Sequence, residues 1–302
     1  YDSYLNIQGS DSVVLHWKRC ISSLCTERVV SYQVEQGLDP WASSLAVVIM
    51  KMVRSDIASS GVLFTIDPDS GHSEIIHITG SYGLGELVVQ GSVQPDGFLV
   101  WKEGLRKGNF AIVHRTLGTK ERRIIYADEG TSPVKTEDVP TLERKSWVLE
   151  NSEVRELAEM ALKIENHYCR PMDVEWAKDG LNGEIFIVQA RPETVHAKES
   201  TSVLERYEMD AKLIKSLKKS DQVIATGQAV GKRIGSGIVR IYNSYEEVIR
   251  QRRALQNQIS EGVLKDDIPY TDRVFEQGDV LVTEMTTPDW EPMMKQASLI
   301  VT

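Results

Sequence analysis

Cysteine is scarce in this chain: Cys20, Cys25 and Cys169 are the three in 302 residues, and no two are spaced C-x-x-C. An odd number, with no histidine at ligand spacing, excludes a disulfide scaffold and zinc-finger patterns, so all three read as reduced thiols. No apolar run reaches the ~20 residues that span a bilayer. Residues 1–8 lack the basic-then-apolar layout of a secretion signal, so the expectation is a soluble cytoplasmic protein. The chain opens on Tyr1 rather than methionine, which points to a start cut from something longer. Excess positive charge is missing too: 35 Lys and Arg against 44 Asp and Glu give a net charge of −9. That balance excludes bulk attraction to nucleic acid or an anionic membrane, yet a few local cations can still grip phosphate. No histidine among His16, His72, His77, His114, His167 and His196 stands in HExxH spacing or beside a nucleophile motif, and none lies beyond 196. There is no internal repeat and no Walker A lysine.

What is present is ordinary for a globular protein, 41% hydrophobic and 26% charged, with length enough for two domains. Residues 11–36 carry apolar side chains at helical spacing, with Asp11 or Ser12 as cap and Gly37 and Pro40 as stop. Apolar runs predict strands over Leu45–Val53, Gly61–Ile66 and Glu74–Thr79, separated by a polar connection at 54–60 and a turn at Asp67–Gly71. This meander implies an antiparallel sheet. A glycine-rich loop follows at Gly80–Glu86, then strands at Phe98–Trp101 and Ala111–His114. Ser152–His167 has the clearest helical stripe, capped by Asn151 or Ser152. Met172–Ala177 and Glu184–Gln189 read as a hairpin closed through Asp179–Gly183. Beyond a Lys-, Glu- and Ser-rich stretch at 192–220, a second unit is predicted with strands near Val223–Ala225, Ile238–Ile241 and Val280–Val282 and a helix over Tyr245–Gln256.

The chemistry concentrates on that hairpin. Alternation along a strand puts Asp173 and Glu175 on one face, and Gln189 and Arg191 on one face of the partner. Hard oxygens from Glu175 and Gln189 suit magnesium, and the Arg191 fork suits phosphate. From pattern alone, a surface ladder of paired charges is the reading that the residues favour. Ser59-Ser60-Gly61 and the Gly80–Gly85 loop, with Glu86 at its edge, read either as turns or as phosphate-facing backbone.

Taken in order, Lys51–Asp56 with Ala58–Val62, Tyr82–Gly91, Arg170–Gly180, Ile187–Thr194 and Gly278–Pro292 resemble the phosphoenolpyruvate synthase (pyruvate, water dikinase) family of PEP-utilising enzymes over nearly the whole chain. The resemblance implies an α+β fold: an ATP-grasp nucleotide-binding domain at 1–195 with an incomplete N-terminal lobe, a linker at 196–220, and at 221–302 the first part of a β/β/α swivelling phosphohistidine domain. It implies that Met52 and Val53 offer backbone groups to adenine, that Ser59, Ser60 and Gly61 form a loop over the phosphates, and that Glu86 holds the ribose or nearby polar groups. By the same resemblance, Glu175 and Gln189 bind Mg2+ and Arg191 clamps phosphate. The implied reaction converts ATP, pyruvate and water to AMP, phosphoenolpyruvate and phosphate through a phosphohistidine. No histidine of this chain occupies the relay position and the pyruvate-binding barrel is missing, so the chain alone is expected to be inactive. Residues 251–275 are longer than the family pattern and are expected to be a flexible insertion. The implied partners are ATP and pyruvate, not nucleic acid or membrane, with room for a homodimer through the missing domains. A phosphotransferase with another acceptor, such as rifampicin, and a non-catalytic nucleotide-binding module are the competing readings.

Overall fold

The protein is described from a computed structural model over residues 1–35, 37–109, 111–127, 133–194, 212, 215, 216, 223–225, 234–260, 274–284, 286 and 290–302. The chain divides into two units, Tyr1–Ser200 and Thr201–Thr302.

In the first unit the predicted N-terminal helix is two helices, α1 (Ser10–Ser22) and α2 (Glu27–Glu35), parted by a one-turn 3-10 helix at Ser23–Cys25. Thr26 turns extended (φ −73°, ψ 146°), which breaks the run. Asp11 and Ser12 lie inside α1, and Gly9 stands at its N-cap with no side-chain cap. Gly37, at φ +70°, follows α2 in the left-handed conformation that suits a helix stop.

The sheet elements follow in chain order: β1 (Ser59–Phe64), β2 (Ile75–Tyr82), the short α3 (Glu86–Val89), β3 (Asp96–Trp101), α4 (Lys102–Arg106) and β4 (Ile112–Thr116). A hairpin of β5 (Arg122–Tyr126) and β6 (Val134–Asp138) comes next, then α5 (Thr141–Arg144), α6 (Asn151–Tyr168), β7 (Met172–Lys178) and β8 (Ile185–Pro192). Six strands pair in the order β4-β3-β2-β1-β7-β8, every neighbour antiparallel, as the meander implied. One face is the core. Leu63, Ile76, Ile78, Phe98, Val100, Val174 and Trp176 pack there against Val154, Leu157, Ala158 and Ala161 of α6. Burying one such large apolar side chain is worth about 1.5–3 kcal/mol, so this layer holds the sheet flat against the helix. The cap of α6 is Glu150 in a capping box with Glu153, not Asn151 or Ser152, which are already helical.

Two glycines let the centre of the sheet close. Gly61 lies opposite Gly80 on β2 and opposite Trp176 on β7. A Cβ on Gly61 would overlap the Thr79 carbonyl oxygen, and one on Gly80 would stand 2.7 Å from the Trp176 ring. The indole fills that space and donates Nε1–H to the Thr79 carbonyl at 3.1 Å. Nearby, Lys120 and Asp96 form an ion pair with both side chains at 0% exposure. Asp96 also accepts the N–H groups of Gly118 (2.8 Å) and Val148 (2.9 Å), so one carboxylate joins three chain segments.

Two expectations fail here. Leu45–Val53 is not a strand: residues 43–54 form no regular element, and Val48 and Ile49 are 82% and 70% exposed. A strand exists through its ladder, and both edges of β1 are already taken by β2 and β7. Gly80–Glu86 is not one loop either, since Gly80–Tyr82 completes β2 and Glu86 begins α3.

The second unit has a three-stranded parallel sheet, ordered β11-β10-β9, from β9 (Val239–Ile241), β10 (Val280–Val282) and β11 (Leu299–Val301). Helices α7 (Tyr245–Ser260) and α8 (Glu291–Met294) accompany it, around a core of Tyr242, Val248, Phe275, Leu281, Trp290 and Met293. No strand forms at 223–225. Residues 251–260 of the expected insertion are regular helix; 261–273 lie outside the described residues, as does most of 196–220. No helix among the described residues is long and apolar enough to cross a membrane.

Candidate nucleotide site

The sheet face away from α6 carries the polar cluster. Glu175 pairs directly with Gln189 and Asp173 with Arg191 across β7 and β8. Simple alternation from Ile185 and Ile187, which face the core, would have sent Gln189 and Arg191 to the core as well. A bulge prevents it: Trp176 pairs with Ile187 but Glu175 with Gln189, leaving Val188 as the extra residue. That single insertion turns both polar side chains onto the face of Glu175.

Arg191 is held by Asp173, with Nε and one terminal nitrogen each 2.8 Å from Asp173 Oδ2. Arg191 is 63% exposed, so the pair sits at a mouth open to solvent. Glu175 is half-buried and its carboxylate makes no hydrogen bond or ion pair with any described residue; the Gln189 side-chain amide is likewise unbonded among them. Burial pushes the Glu175 carboxyl above the usual carboxylate range, with Asp173 adding to the rise and Arg191 opposing it. His77 shares this face, and burial pushes its imidazole down toward the neutral form.

The raised Glu175 has a thermodynamic sign. A carboxyl whose folded pKa exceeds its unfolded value adds stability below the unfolded pKa and loses it as pH rises through the folded one. Glu175→Gln is therefore expected to raise the melting temperature of the metal-free, nucleotide-free protein at pH 8 by roughly 2 °C. The difference should vanish near pH 4. Differential scanning at both pH values checks this; a lower melting temperature at pH 8 would mean that Glu175 is paired.

At the other end of β7 lie the remaining candidates. The Arg54 N–H meets Asp179 Oδ2 at 3.4 Å and its carbonyl accepts the Gly180 N–H at 3.1 Å, which sets Met52 and Val53 beside the β7–β8 turn. Val53 gives its carbonyl to the Ser55 N–H at 2.8 Å, while the Val53 N–H and both Met52 backbone groups have no partner among the described residues. Glu86 opens α3 and is exposed, accepting Gln90 Nε2–H at 3.2 Å. A Cβ on neighbouring Gly85 would come within 3.4 Å of Ser60 Oγ, which places α3 at the Ser60–Ala177 end. From Ala177 to Asp173 is four residues, about 13 Å of strand, on the scale of a nucleoside triphosphate laid along it.

Ser59, Ser60 and Gly61 are not a loop. They begin the central strand β1, and both hydroxyls are spent on carbonyls: Ser59 on Val148 at 3.2 Å, Ser60 on Gly83 at 2.6 Å. A cavity of about 360 Å³ lies on the α6 side of the same strand ends, bordered by Ser59, Tyr82, Arg123, Glu143 and Lys178. Its cations are consumed, Arg123 by Glu137 and Glu143, Lys178 by Glu153. It offers a polyphosphate nothing.

No cluster of three or more His, Cys, Asp or Glu able to hold a metal occurs among the described residues. An ion here would therefore have the protein oxygens of Glu175 and Gln189 with the rest from a ligand, which is how Mg2+ is commonly held beside phosphates. Residues 1–211 match the family model for the pyruvate phosphate dikinase AMP/ATP-binding domain. The chain belongs to this family. Over its whole length it is 46% identical to a phosphoenolpyruvate synthase of Escherichia coli (strain K12) and 44% identical to that of Pseudomonas aeruginosa (strain UCBPP-PA14). It is 36% identical to a probable phosphoenolpyruvate synthase of Methanocaldococcus jannaschii. The chain spans about a third of the length of the first two of those proteins (34% each) and 22% of the third. As a member of an AMP/ATP-binding domain family, it carries a nucleotide-binding domain whose antiparallel sheet and helices are those described above.

Proposed function

We propose that the face carrying Asp173, Glu175, Gln189 and Arg191 binds Mg·ATP, and that the whole protein is a pyruvate, water dikinase. In that reading 1–195 is an ATP-grasp domain, 196–220 a linker, and 221–302 part of a swivelling phosphohistidine domain. The observation that carries it is the directly paired Glu175 and Gln189, two side-chain oxygen ligands without partners among the described residues, two residue pairs along the ladder from Asp173 and Arg191. The names of the synthases to which this chain is 46% and 44% identical along its full length support the substrate assignment.

Each group has a task. Met52 and Val53 present unspent backbone groups to the adenine edge, and Glu86 meets the ribose at the same end. The phosphates run toward Asp173, where Arg191 exchanges its carboxylate partner for phosphate oxygens and holds charge that builds during transfer. Glu175 and Gln189 would hold Mg2+, which would supply charge neutralisation for the phosphates. Ser59 and Ser60 act by shaping the strand under the nucleotide, their hydroxyls being already bonded. A histidine takes the β,γ-pyrophosphoryl group of ATP with AMP as the leaving group, water removes the terminal phosphate, and the phosphoryl group left on histidine passes to pyruvate to give phosphoenolpyruvate. The assigned setting is the cytoplasm, with a homodimer as the assembly.

The test uses the whole protein with magnesium and ATP labelled at the β-phosphate, followed by a pyruvate chase. Acid-labile label that pyruvate removes is the expected result. Label indifferent to pyruvate would assign a different acceptor, and no label would refute catalysis.

A further inference from the structure

Residues 43–53 have no ladder, so the course of Met52 and Val53 depends on whatever fixes the first anchored residue after them. That residue is Arg54, and it is fixed four ways. Its N–H and carbonyl bond to Asp179 and Gly180 of the β7–β8 turn at 3.4 and 3.1 Å. Its guanidinium forks onto Asp56, Nε to Oδ1 at 2.8 Å and one terminal nitrogen to Oδ2 at 3.0 Å. The Cζ of the same group lies over the Tyr126 ring, 4.9 Å from its centre; Tyr126 is the last residue of β5. Asp56 is 5% exposed and the Tyr126 hydroxyl is buried with no partner among the described residues, so the groups on both flanks of the guanidinium are set in packed structure.

We propose that Arg54 is a positioning residue for purine recognition: clamped between Asp56 and Tyr126, it sets the direction of the free backbone groups at Met52 and Val53. The inference rests on the nucleotide reading above. Backbone recognition tolerates only about 0.5 Å of misplacement, so loosening this clamp degrades the fit to a base. It does not touch the phosphate end, about 13 Å away along β7. A fork and a stacked plane are properties of arginine that lysine lacks.

The measurement is a pair of dissociation constants on the whole protein, for Mg·ATP and for Mg·tripolyphosphate, which has phosphates but no base. Arg54→Met is expected to weaken ATP about tenfold, near 1.4 kcal/mol, and to leave tripolyphosphate within about twofold. Arg54→Lys should recover only part of the loss. Tyr126→Leu, which spares the Asp56 pair, should weaken ATP by about threefold and serves if the first variant does not fold. Unchanged ATP affinity, or equal losses for both ligands, would overturn the positioning role. A native protein that binds tripolyphosphate but gains nothing from the base would instead overturn the nucleotide reading on which it rests.

Discussion

Arg191→Met in the whole protein is expected to lower kcat/KM for ATP-dependent phosphorylation by about 10²–10³-fold, the usual cost of deleting one group that stabilises transition-state charge. Phosphoryl transfer leaves little covalent work to the protein, so a guanidinium aimed at the transferring group carries much of the barrier reduction. Folding should hardly notice. Arg191 is 63% exposed, and its partner Asp173 meets it at a solvent-facing mouth where such pairs contribute about 0–1 kcal/mol. A steady-state assay beside a thermal melt separates the two effects. Activity within about threefold of the unaltered protein would remove Arg191 from the proposed phosphate clamp.

The largest stability effect is expected at the opposite side of the sheet. Lys120→Met leaves Asp96 charged at 0% exposure, and breaking a buried pair by removing one member typically costs about 3–5 kcal/mol. The N–H groups of Gly118 and Val148 still bond to that carboxylate, so the lower part of the range is the sharper expectation. Removing both members with Asp96→Leu should not restore stability, because those two N–H groups would then be buried without an acceptor. Urea unfolding of the single and double variants decides this. A loss below about 1 kcal/mol for Lys120→Met would mean that water reaches the pair in solution.

The parts of this fold that the sequence exposes are those governed by local periodicity. The stripe of Val154, Leu157 and Ala161 placed α6, and alternation placed Asp173 with Glu175. Features set by distant partners were hidden. Leu45–Val53 has the composition of a buried strand, yet no described strand takes it as a neighbour. Ser59–Gly61 looks like a turn by its small residues, but a Cβ at Gly61 would run into the Thr79 backbone, and the Ser59 and Ser60 hydroxyls bond to the Val148 and Gly83 carbonyls. Asn151 and Ser152 are better caps by type than Glu150, and a reciprocal bond with Glu153 outweighed type. The bulge at Val188 has no signal in composition. Arg54 was visible only as part of a motif; its clamp needed Tyr126, which arrives some seventy residues later.

The glycine pair under Trp176 constrains how this sheet can change. At Gly80 the obstacle to a Cβ is the indole ring, so a smaller residue at 176 would first have to open the space. At Gly61 the obstacle is the Thr79 backbone itself, which no side-chain replacement elsewhere can move aside. One position is thus negotiable in two ordered steps and the other is fixed by the spacing of the strands, although the two glycines face each other and look equivalent in sequence.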